Sequence, residues 1–211
     1  VVHIKKEKTI PIETGTIELY FCPQDDCKAE LMQRIDNATT IHCAFYDIDE
    51  ELLRALEKKD KEGSDVKLVL EYDNKKTGQF ITTDTRSAYM HNKFCIFDNN
   101  SIMTGSMNPT ENDMTKNNNN LLFIRSTYLA KNYEAEFQSF VKNDFGYDKK
   151  VQYPQIIFNN VVIENYFCPE DDCEKHIIET LQLANDSIYF MQFSFTSDMI
   201  GELLLEKSKT M

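Results

Sequence analysis

The stretch HNKFCIFDNNSIMTGSMNPTENDMTKNNNN, residues 91–120, predicts a strand, a turn and a returning strand. KFCIF is an apolar strand candidate, DNN supplies turn residues, and SIMTGSMN returns to a polar Gly-Ser corner. A hairpin brings its two ends to the same edge of a sheet. We therefore expect His91 and Lys93 to lie beside Ser106 and Asn108, in a cluster the size of a phosphate group.

These side chains suit phosphoryl chemistry. A neutral imidazole has a pKa near ~6.5, so His91 can attack phosphorus or carry a proton at physiological pH. Lys93 and Asn108 supply hydrogen-bond donors for charged phosphoryl oxygens. The hydroxyl of Ser106 adds another donor, and Gly105 permits close approach of the backbone. The stretch therefore predicts a phosphate-handling site.

Strand and helix patterns alternate on both sides of this hairpin. Between residues 74 and 87 the chain is polar and carries no helical pattern, so this unit is abbreviated or residues are absent. Asp49 is predicted to cap a helix that stops near Gly63. The nearby carboxylates at 47 and 49–51 are interpreted as charges at this helix start, not as a magnesium site. The predicted strands are 17–23, 39–48, 66–73 and 121–126, and the predicted helices are 26–38, 50–63 and 127–144.

The beginning of the chain recurs near its end. IELYFCPQDDC at residues 17–27 matches IENYFCPEDDC at residues 163–173. A helix pattern (176–186), a strand pattern (SIYFMQFSF, 187–195) and a second helix capped at Thr196-Ser197 follow, in the same order as in the first copy. A repeat of this length predicts a domain duplication whose second copy stops at Met211, before any counterpart of His91.

Each copy of the repeat holds two cysteines separated by four residues: Cys22 with Cys27, and Cys168 with Cys173. Two local disulfides are the first interpretation, and a shared metal site with four thiolate ligands stays open as the alternative. Cys43 and Cys95 lie in apolar strand patterns and are interpreted as small buried residues. Localisation is otherwise open, but disulfides favour an extracytoplasmic or membrane-anchored protein.

The chain of 211 residues has a formal net charge of −12. This charge argues against general avidity for nucleic acid but leaves room for a local positive cleft, since Lys and Arg number 23. No run approaches the ~20 apolar residues that cross a membrane. The chain opens Val-Val-His without a Met, so a removed leader or anchor stays open.

The spacing His91-x-Lys93-x4-Asp98-x6-Gly105-Ser106-x-Asn108 resembles the HKD signature of the phospholipase D superfamily. The resemblance implies an α/β fold, an α/β/α sandwich with a mixed sheet, in which the first repeat is complete and the second is truncated. The implied layout is an N-terminal extension (1–16), a first phospholipase D-like domain (17–143), a connector (144–162) and the start of a second such domain (163–211).

The resemblance also implies a metal-independent reaction that needs no cofactor. In that family one His attacks phosphorus to form a phosphohistidine, and the His of a second motif protonates the leaving oxygen. His91 would be the nucleophile or the general acid, and Lys93 and Asn108 would hold the phosphate. Ser106 would add a hydrogen bond, and Asp98 would be structural.

Two features depart from the family pattern. The family often places a Glu eleven residues after the motif Asn to orient the His, whereas this chain has Asn119. An Asn can accept a hydrogen bond from imidazole but stabilises imidazolium less than a carboxylate does. The second HKD half is also missing, and we expect it from sequence beyond Met211 or from a homodimer partner. The duplication favours the first source.

The family includes nucleases, phospholipases, cardiolipin-type synthases and toxins. A nuclease-type phosphodiesterase is the first hypothesis for this chain. A phospholipase D or transphosphatidylase acting on phospholipid headgroups is the second, and a degenerate HKD module that binds without cleaving is the third.

Overall fold

The computed structural model describes residues 9–145 and 150–211. The strands are β1 (Ile12–Glu13), β2 (Ile17–Cys22), β3 (Thr40–Phe45), β4 (Asp65–Leu70), β5 (Ile81–Thr83), β6 (Lys93–Phe97), β7 (Ser101–Gly105), β8 (Asn119–Ile124), β9 (Gln155–Phe158) and β10 (Val161–Glu164). The helices are α1 (Cys27–Asn37), α2 (Glu50–Lys61), α3 (Glu111–Thr115), α4 (Thr127–Val141), α5 (Cys173–Gln182) and α6 (Asp198–Lys207).

A seven-stranded mixed sheet organises the first part of the chain, in the order β2-β8-β7-β6-β3-β4-β5. β3, β4 and β5 run parallel, and every other neighbouring pair is antiparallel. β6 and β7 form the hairpin that the sequence predicts. The predicted mixed sheet is therefore confirmed.

The two faces of this sheet carry separate cores, because successive strand side chains point to opposite faces. On β3, Ile41 and Phe45 pack in the cluster that contains the buried residues of α1 and α2. Ala44 packs in the other cluster, with Phe137 and Phe140 of α4. Helices thus cover both faces, which confirms the α/β/α arrangement.

Side-chain caps set the starts of the main helices. Asp26 accepts a hydrogen bond from the N–H of Ala29 at 3.0 Å and begins α1. Asp49 accepts from the N–H of Leu52 at 2.9 Å and begins α2, as predicted. Gly63 follows that helix with φ +92°, a conformation that suits glycine at a helix end.

The polar stretch 74–87 is an abbreviated crossover. A 3₁₀ turn at Tyr72–Asn74 leads directly to β5, which pairs in parallel with β4 without an intervening helix. The N–H of Asp84 donates to the carbonyl of Leu70 at 2.9 Å and holds the end of this short strand. The helix that strict alternation would place here is replaced by a turn.

The predicted N-terminal extension and connector contain strands. β9 and β10 form a hairpin through Asn159 and Asn160, both at positive φ, and β1 pairs in parallel with β9. The extension 1–16 and the connector 144–162 are therefore partly ordered as a small sheet, and residues 152–165 cluster with the first compact unit. Parts of both segments, residues 1–8 and 146–149, lie outside the described residues.

The second compact unit runs from residue 166 to 211 together with residues 150–151. It contains α5 and α6, and Ser197 caps α6 by accepting from the N–H of Ile200 at 3.1 Å. The strand predicted at 187–195 is not formed among the described residues. A strand needs a neighbour for its backbone hydrogen bonds, and no described strand pairs with this segment. The truncated second repeat stays a prediction.

All six cysteines are paired: Cys22–Cys27, Cys43–Cys95 and Cys168–Cys173. The structure thus contains both local disulfides of the first interpretation, and sulfurs bonded in this way are not thiolate ligands. For Cys43 and Cys95 the sequence interpretation is corrected. Both are buried, but they are bonded, because β3 and β6 pair them directly with Cα atoms 4.1 Å apart.

Within the described part of the chain, no helix combines the length and the apolar character that a membrane span requires.

Candidate active site

Strand pairing brings the ends of the predicted motif to one sheet edge. Lys93 begins β6 and pairs with Phe45, the last residue of β3. Phe94 pairs with Thr104, so Gly105 at the end of β7 reaches the same edge. The residues that precede β6 and those that follow β7 therefore meet where β3 ends. This is the edge on which the sequence places its phosphate-sized cluster.

His91 and Lys93 form the charged centre of this edge. Lys93 Nζ lies 3.2 Å from His91 Nε2 and 3.1 Å from the carbonyl oxygen of His91. A protonated lysine has only donors, so it donates to Nε2 and leaves the ring proton on Nδ1. The imidazole is thus held as a neutral ring with its Nε2 lone pair turned to the lysine.

The surroundings lower the pKa of both groups. Partial burial, and then repulsion by Lys93, lower the pKa of His91. Burial lowers the pKa of Lys93 to about 8, while the nearby carboxylate of Asp113 opposes this shift. His91 is therefore neutral and Lys93 mostly protonated near pH 7. A neutral nucleophile next to a cation is the pair that attack on a phosphodiester needs.

The Gly-Ser corner is fixed by contact with β8. Gly105 has φ +145°, and a Cβ on it would lie 2.3 Å from the carbonyl oxygen of Asn120. Ser106 Oγ accepts from the N–H of Asn120 at 3.1 Å, and the N–H of Ser106 donates to the carbonyl of Asn120 at 3.2 Å. The close approach that requires glycine here is thus to the neighbouring strand, and it sets the position of Ser106.

Asn119 stands at the position of the family's Glu, and its side chain contacts Ser106. Its Oδ1 accepts from Ser106 Oγ at 2.9 Å, and its Nδ2 donates to the carbonyl of Asp113 at 3.2 Å. Within the described residues, no recorded hydrogen bond joins Asn119 to His91. The sequence allowed Asn119 to accept a hydrogen bond from the His91 imidazole, but in the structure Asn119 accepts one from Ser106 instead.

Asp113 is a site residue that the sequence reasoning missed. Its Oδ2 accepts from the backbone N–H of Asn108 at 2.9 Å and from Asn108 Nδ2 at 2.8 Å. Its Oδ1 accepts from Asn117 Nδ2 at 2.7 Å. The motif Asn108 is thereby held in one orientation. The signal in the sequence was Thr110-x-x-Asp113, a capping-box spacing directly after the motif.

Asn108 has one unsatisfied atom. Among the described residues its Oδ1 is buried and has no hydrogen-bond partner. A buried amide oxygen that accepts no hydrogen bond lowers the stability of the fold. This oxygen can therefore accept a hydrogen bond from a bound molecule. The bound Nδ2 has a second hydrogen that Asp113 does not use.

Asp98 lies at the other end of the hairpin, away from His91. Its Oδ1 accepts from the N–H of Thr39 at 2.9 Å, from the hydroxyl of Thr39 at 2.9 Å and from the N–H of Thr40 at 3.0 Å. Partial burial opposes ionisation, but these backbone donors keep the pKa of Asp98 below its ordinary value. The carboxylate ties the hairpin to the start of β3.

Tyr46 is a second residue that sequence patterns missed. It directly follows β3, and its ring contacts His91 edge to face, with centroids 4.8 Å apart. The ring of Tyr89 contacts the ring of Tyr46, with centroids 5.8 Å apart. Lys93 Nζ lies 5.6 Å from the centroid of Tyr46. These aromatic residues lie outside the HKD spacing, so only the sheet edge could reveal them.

Across the described ranges 9–145 and 150–211, no group of three or more His, Cys, Asp or Glu side chains is placed to hold a metal ion.

Comparison with known proteins identifies a family match over just over half of the chain. Residues 31–141 match the family model described as "Cardiolipin synthase, PLD-like domain". The mitochondrial cardiolipin hydrolase of Xenopus laevis is 36% identical over 61 residues. That match covers 29% of this chain and 29% of the relative, so most of the relative's length has no counterpart in the alignment.

Solved structures share the fold. Nuc, a phospholipase D family member from Salmonella typhimurium, superposes with a TM-score of 0.56 and 24% identity. The match covers 64% of this chain and 99% of Nuc. NucT from Helicobacter pylori superposes with a TM-score of 0.51 and 17% identity. This match covers 63% of this chain and 99% of NucT. At these identities the likeness establishes the fold.

Proposed function

Because this chain belongs to the phospholipase D-like family, we propose that it is a metal-independent phosphodiesterase whose reaction is centred on His91. The observation that carries the proposal is the contact of Lys93 Nζ with His91 Nε2 at 3.2 Å. A lysine that donates to Nε2 keeps the attacking lone pair unprotonated and sits where a phosphoryl oxygen will need a cation.

The first chemical step forms a phosphohistidine. On substrate binding, the ammonium of Lys93 shifts its hydrogen bond to a phosphoryl oxygen and frees Nε2. The Nε2 lone pair forms a P–N bond as the P–O bond to the leaving group breaks, and the leaving oxygen takes a proton from a general acid. Water then attacks phosphorus, and the electrons of the P–N bond return to Nε2. The proton of the water passes to the general acid of the first step, which now acts as a base.

Asn108 and Ser106 complete the phosphate site in this proposal. The free hydrogen on Asn108 Nδ2 is a donor toward the equatorial oxygens, and the Ser106 hydroxyl becomes a second donor when it turns from Asn119 Oδ1 to the substrate. The buried Asn108 Oδ1 is free to accept a hydrogen bond from a hydroxyl, such as that of the attacking water or of the leaving group after its protonation. Asp113 is the positioning residue, because it fixes the Asn108 amide and balances the charge of Lys93.

The general acid is a second histidine. Among the described residues, the other histidines are engaged elsewhere: His42 is buried and bonded to Glu134 at 2.9 Å, and His176 contacts Glu179 in the second unit. His91 of a second copy, or the counterpart of His91 in a complete second repeat, fits the role. If two copies supply it, the specific activity falls on dilution and follows the dimer fraction. If the second repeat supplies it, the specific activity is independent of concentration.

A nucleic-acid phosphodiester is the substrate that we favour, because the ring of Tyr46 contacts His91, the ring of Tyr89 contacts Tyr46, and Lys93 lies beside both His91 and Tyr46. A phospholipid headgroup is the second candidate, and the observation that favours it is the resemblance to a relative named cardiolipin hydrolase. A binding module without cleavage is the third.

Parallel cleavage assays in EDTA separate these candidates. One arm follows nicking of supercoiled plasmid and cutting of a labelled single-stranded oligonucleotide. The other follows release of headgroup from vesicles of phosphatidylcholine with cardiolipin. We expect cleavage in the nucleic-acid arm. Cleavage in the vesicle arm alone would transfer the proposal to lipid, and binding without cleavage in either arm would contradict a phosphodiesterase.

A further inference from the structure

Three tyrosines line the sheet edge next to His91 and are not used by the cleavage chemistry. Tyr46 touches both His91 and Tyr89, at centroid distances of 4.8 and 5.8 Å. The rings meet edge to face, at interplanar angles of 63° and 85°. Tyr46 therefore links the reacting imidazole to the more exposed ring of Tyr89.

Tyr72 lies on the same edge, because a buried carboxylate ties the two segments together. Glu71 is 2% exposed, and its Oε2 accepts from the N–H of Met90 at 2.6 Å. Tyr72 and Tyr89 are the chain neighbours of this bonded pair. Asn74 Nδ2 also donates to the carbonyl of Tyr46 at 2.9 Å, which fixes the 3₁₀ turn of Tyr72 against the end of β3.

These rings are open to solvent although each has a large apolar face. Tyr89 is 64% exposed and Tyr72 is 46% exposed. Two exposed aromatic residues on one sheet edge beside a functional site are more informative than scattered surface residues. Their backbone is held by Glu71 and Asn74, so the rings are presented by ordered segments.

Cations accompany the rings. Lys75 Nζ lies 4.1 Å from the ring centroid of Tyr72, and Lys93 Nζ lies 5.6 Å from that of Tyr46. Lys76 on the same turn pairs with Glu50 at 2.8 Å and is not available in the same way. Asp73 adds a negative charge to this turn. The edge thus offers aromatic faces with one or two cations and not a broad basic groove.

Single-stranded nucleic acid has the chemistry that matches this combination. Its bases are unstacked and carry π-faces, and stacking on an aromatic side chain is worth ~1–3 kcal/mol per base. A duplex hides its base faces and relies on many phosphate contacts, which a chain with a net charge of −12 supplies poorly. A lipid headgroup has no planar face to stack on either ring.

We propose that Tyr72 and Tyr89 form a stacking platform, with Tyr46 as its support, for bases that flank the scissile phosphate of a single-stranded nucleic acid. We call these three residues the tyrosine platform. The inference rests on the proposed function for the position of the scissile phosphate, at His91. The inference adds that the substrate is single-stranded and that Tyr72 and Tyr89 select it.

Binding measurements test the platform apart from cleavage. A fluorescein-labelled oligothymidylate of about eight nucleotides is titrated with the His91→Ala chain in EDTA, and anisotropy gives the Kd. In this background, Tyr89→Ala and Tyr72→Ala are each expected to weaken binding by about 5- to 150-fold. Tyr89→Phe and Tyr72→Phe are expected to retain the affinity, because the ring faces are kept.

Matched controls identify the stacking. Tyr189 is 93% exposed in the second unit, so Tyr189→Ala is expected to leave the Kd unchanged. An abasic oligonucleotide of the same length is expected to bind the parent and the Tyr89→Ala chain equally weakly. With one or two cations engaged, the slope of log K against log salt is expected to be only about −0.7 to −1.4.

The outcomes separate the platform from the proposed function. Equal Kd values for the parent and both alanine variants would overturn the platform, as would tight binding of the abasic strand. Vesicles of cardiolipin that bind in a Tyr89-dependent manner, with no oligonucleotide binding, would also overturn it. Platform-dependent binding by a wild-type chain that cleaves nothing would leave the platform standing and remove the proposed phosphodiesterase.

Discussion

Residues 21–27 and 167–173 match in sequence, and the turns that they form share two bonds. In each, the N–H of the first Phe donates to the Asp four residues later, at 2.7 Å for Phe21 with Asp25 and 2.9 Å for Phe167 with Asp171. Each turn is also closed by a disulfide. The bonds that the two turns share are therefore local, because each joins residues within one stretch of seven.

The segments that follow the two turns differ sharply. In the first copy β3 lies between β4 and β6, and its last residue Phe45 is fully buried. In the second copy the strand-like segment 187–195 is unpaired among the described residues, and Phe193 is fully exposed. The difference teaches that a strand sequence forms a strand only where neighbours accept its hydrogen bonds and cover its side chains.

Phe45→Ala is expected to have the largest effect on the first copy, because it removes the buried ring at the end of β3. Removing a fully buried ring leaves a cavity between the sheet and its helices, and we expect a loss of about 3–5 kcal/mol in the free energy of unfolding. The matched variant Phe193→Ala removes an exposed ring and is expected to change stability by less than about 0.5 kcal/mol. Urea denaturation followed by circular dichroism measures both. Equal losses would contradict the burial assigned to β3.

The Cys43–Cys95 disulfide holds β3 against β6 and closes a loop with a sequence separation of 52. Replacing both cysteines with Ala is expected to cost about 2–4 kcal/mol, because the unfolded chain regains freedom. The pair Cys168→Ala/Cys173→Ala, with a separation of 5, is expected to cost less. Denaturation with peptide-resolved hydrogen exchange assigns each loss to its region. Unchanged protection in β3 and β6 after loss of Cys43 and Cys95 would contradict the pairing.

Asp98 anchors the start of β3, and the described second unit supplies no such anchor to 187–195. Asp98→Ala is expected to lower stability by about 1–2 kcal/mol, since three donors on Thr39 and Thr40 lose their acceptor. Asp98→Asn keeps an acceptor oxygen and is expected to cost less. Because the folded pKa is lowered, the contribution of Asp98 is present at neutral pH and lost as pH falls through that pKa. A Tm measured from pH 7 to pH 3 checks this sign.

Asp113→Asn is expected to have the smallest energetic effect and a specific signature. The wild-type rate should rise as His91 loses its proton, at a pKa below ~6.5, and fall at higher pH as the general-acid histidine and then Lys93, with a pKa of about 8, lose their protons. Removing the negative charge of Asp113 lowers the pKa of Lys93, so the alkaline limb moves to lower pH. Glu111→Gln, an exposed acid beside Lys28, is the matched control and should not move it. If the alkaline limb of the Asp113→Asn variant stayed at the wild-type pH, this would contradict the role of Asp113 in setting the pKa of Lys93.

The sequence predicts well those features whose cause lies within a short window. The caps at Asp49 and Ser197, the two cysteine turns and the β6–β7 hairpin depend on neighbours in the chain, and each is formed. The meeting of His91, Lys93, Ser106 and Asn108 at one edge follows from the hairpin in the same way. Their catalytic roles remain proposals.

Features that depend on register or on distant neighbours were missed. The bond between Cys43 and Cys95 requires the exact pairing of β3 with β6, which no pattern in either strand encodes. Asp113 acts on Lys93 across the site, although its contacts with Asn108 are local. The segment 187–195 has every strand property except a partner. Pairing in space, rather than propensity, decides these cases.

The rate of phosphodiester cleavage by the His91→Ala chain in EDTA tests the central claim most directly. Wild-type and variant chains are compared on the same single-stranded oligonucleotide, with circular dichroism to verify that both are folded. We predict that the wild type cleaves in EDTA and that the variant loses at least about 10³-fold in rate, because no other group supplies the attacking lone pair. Cleavage by His91→Ala at the wild-type rate would contradict the account.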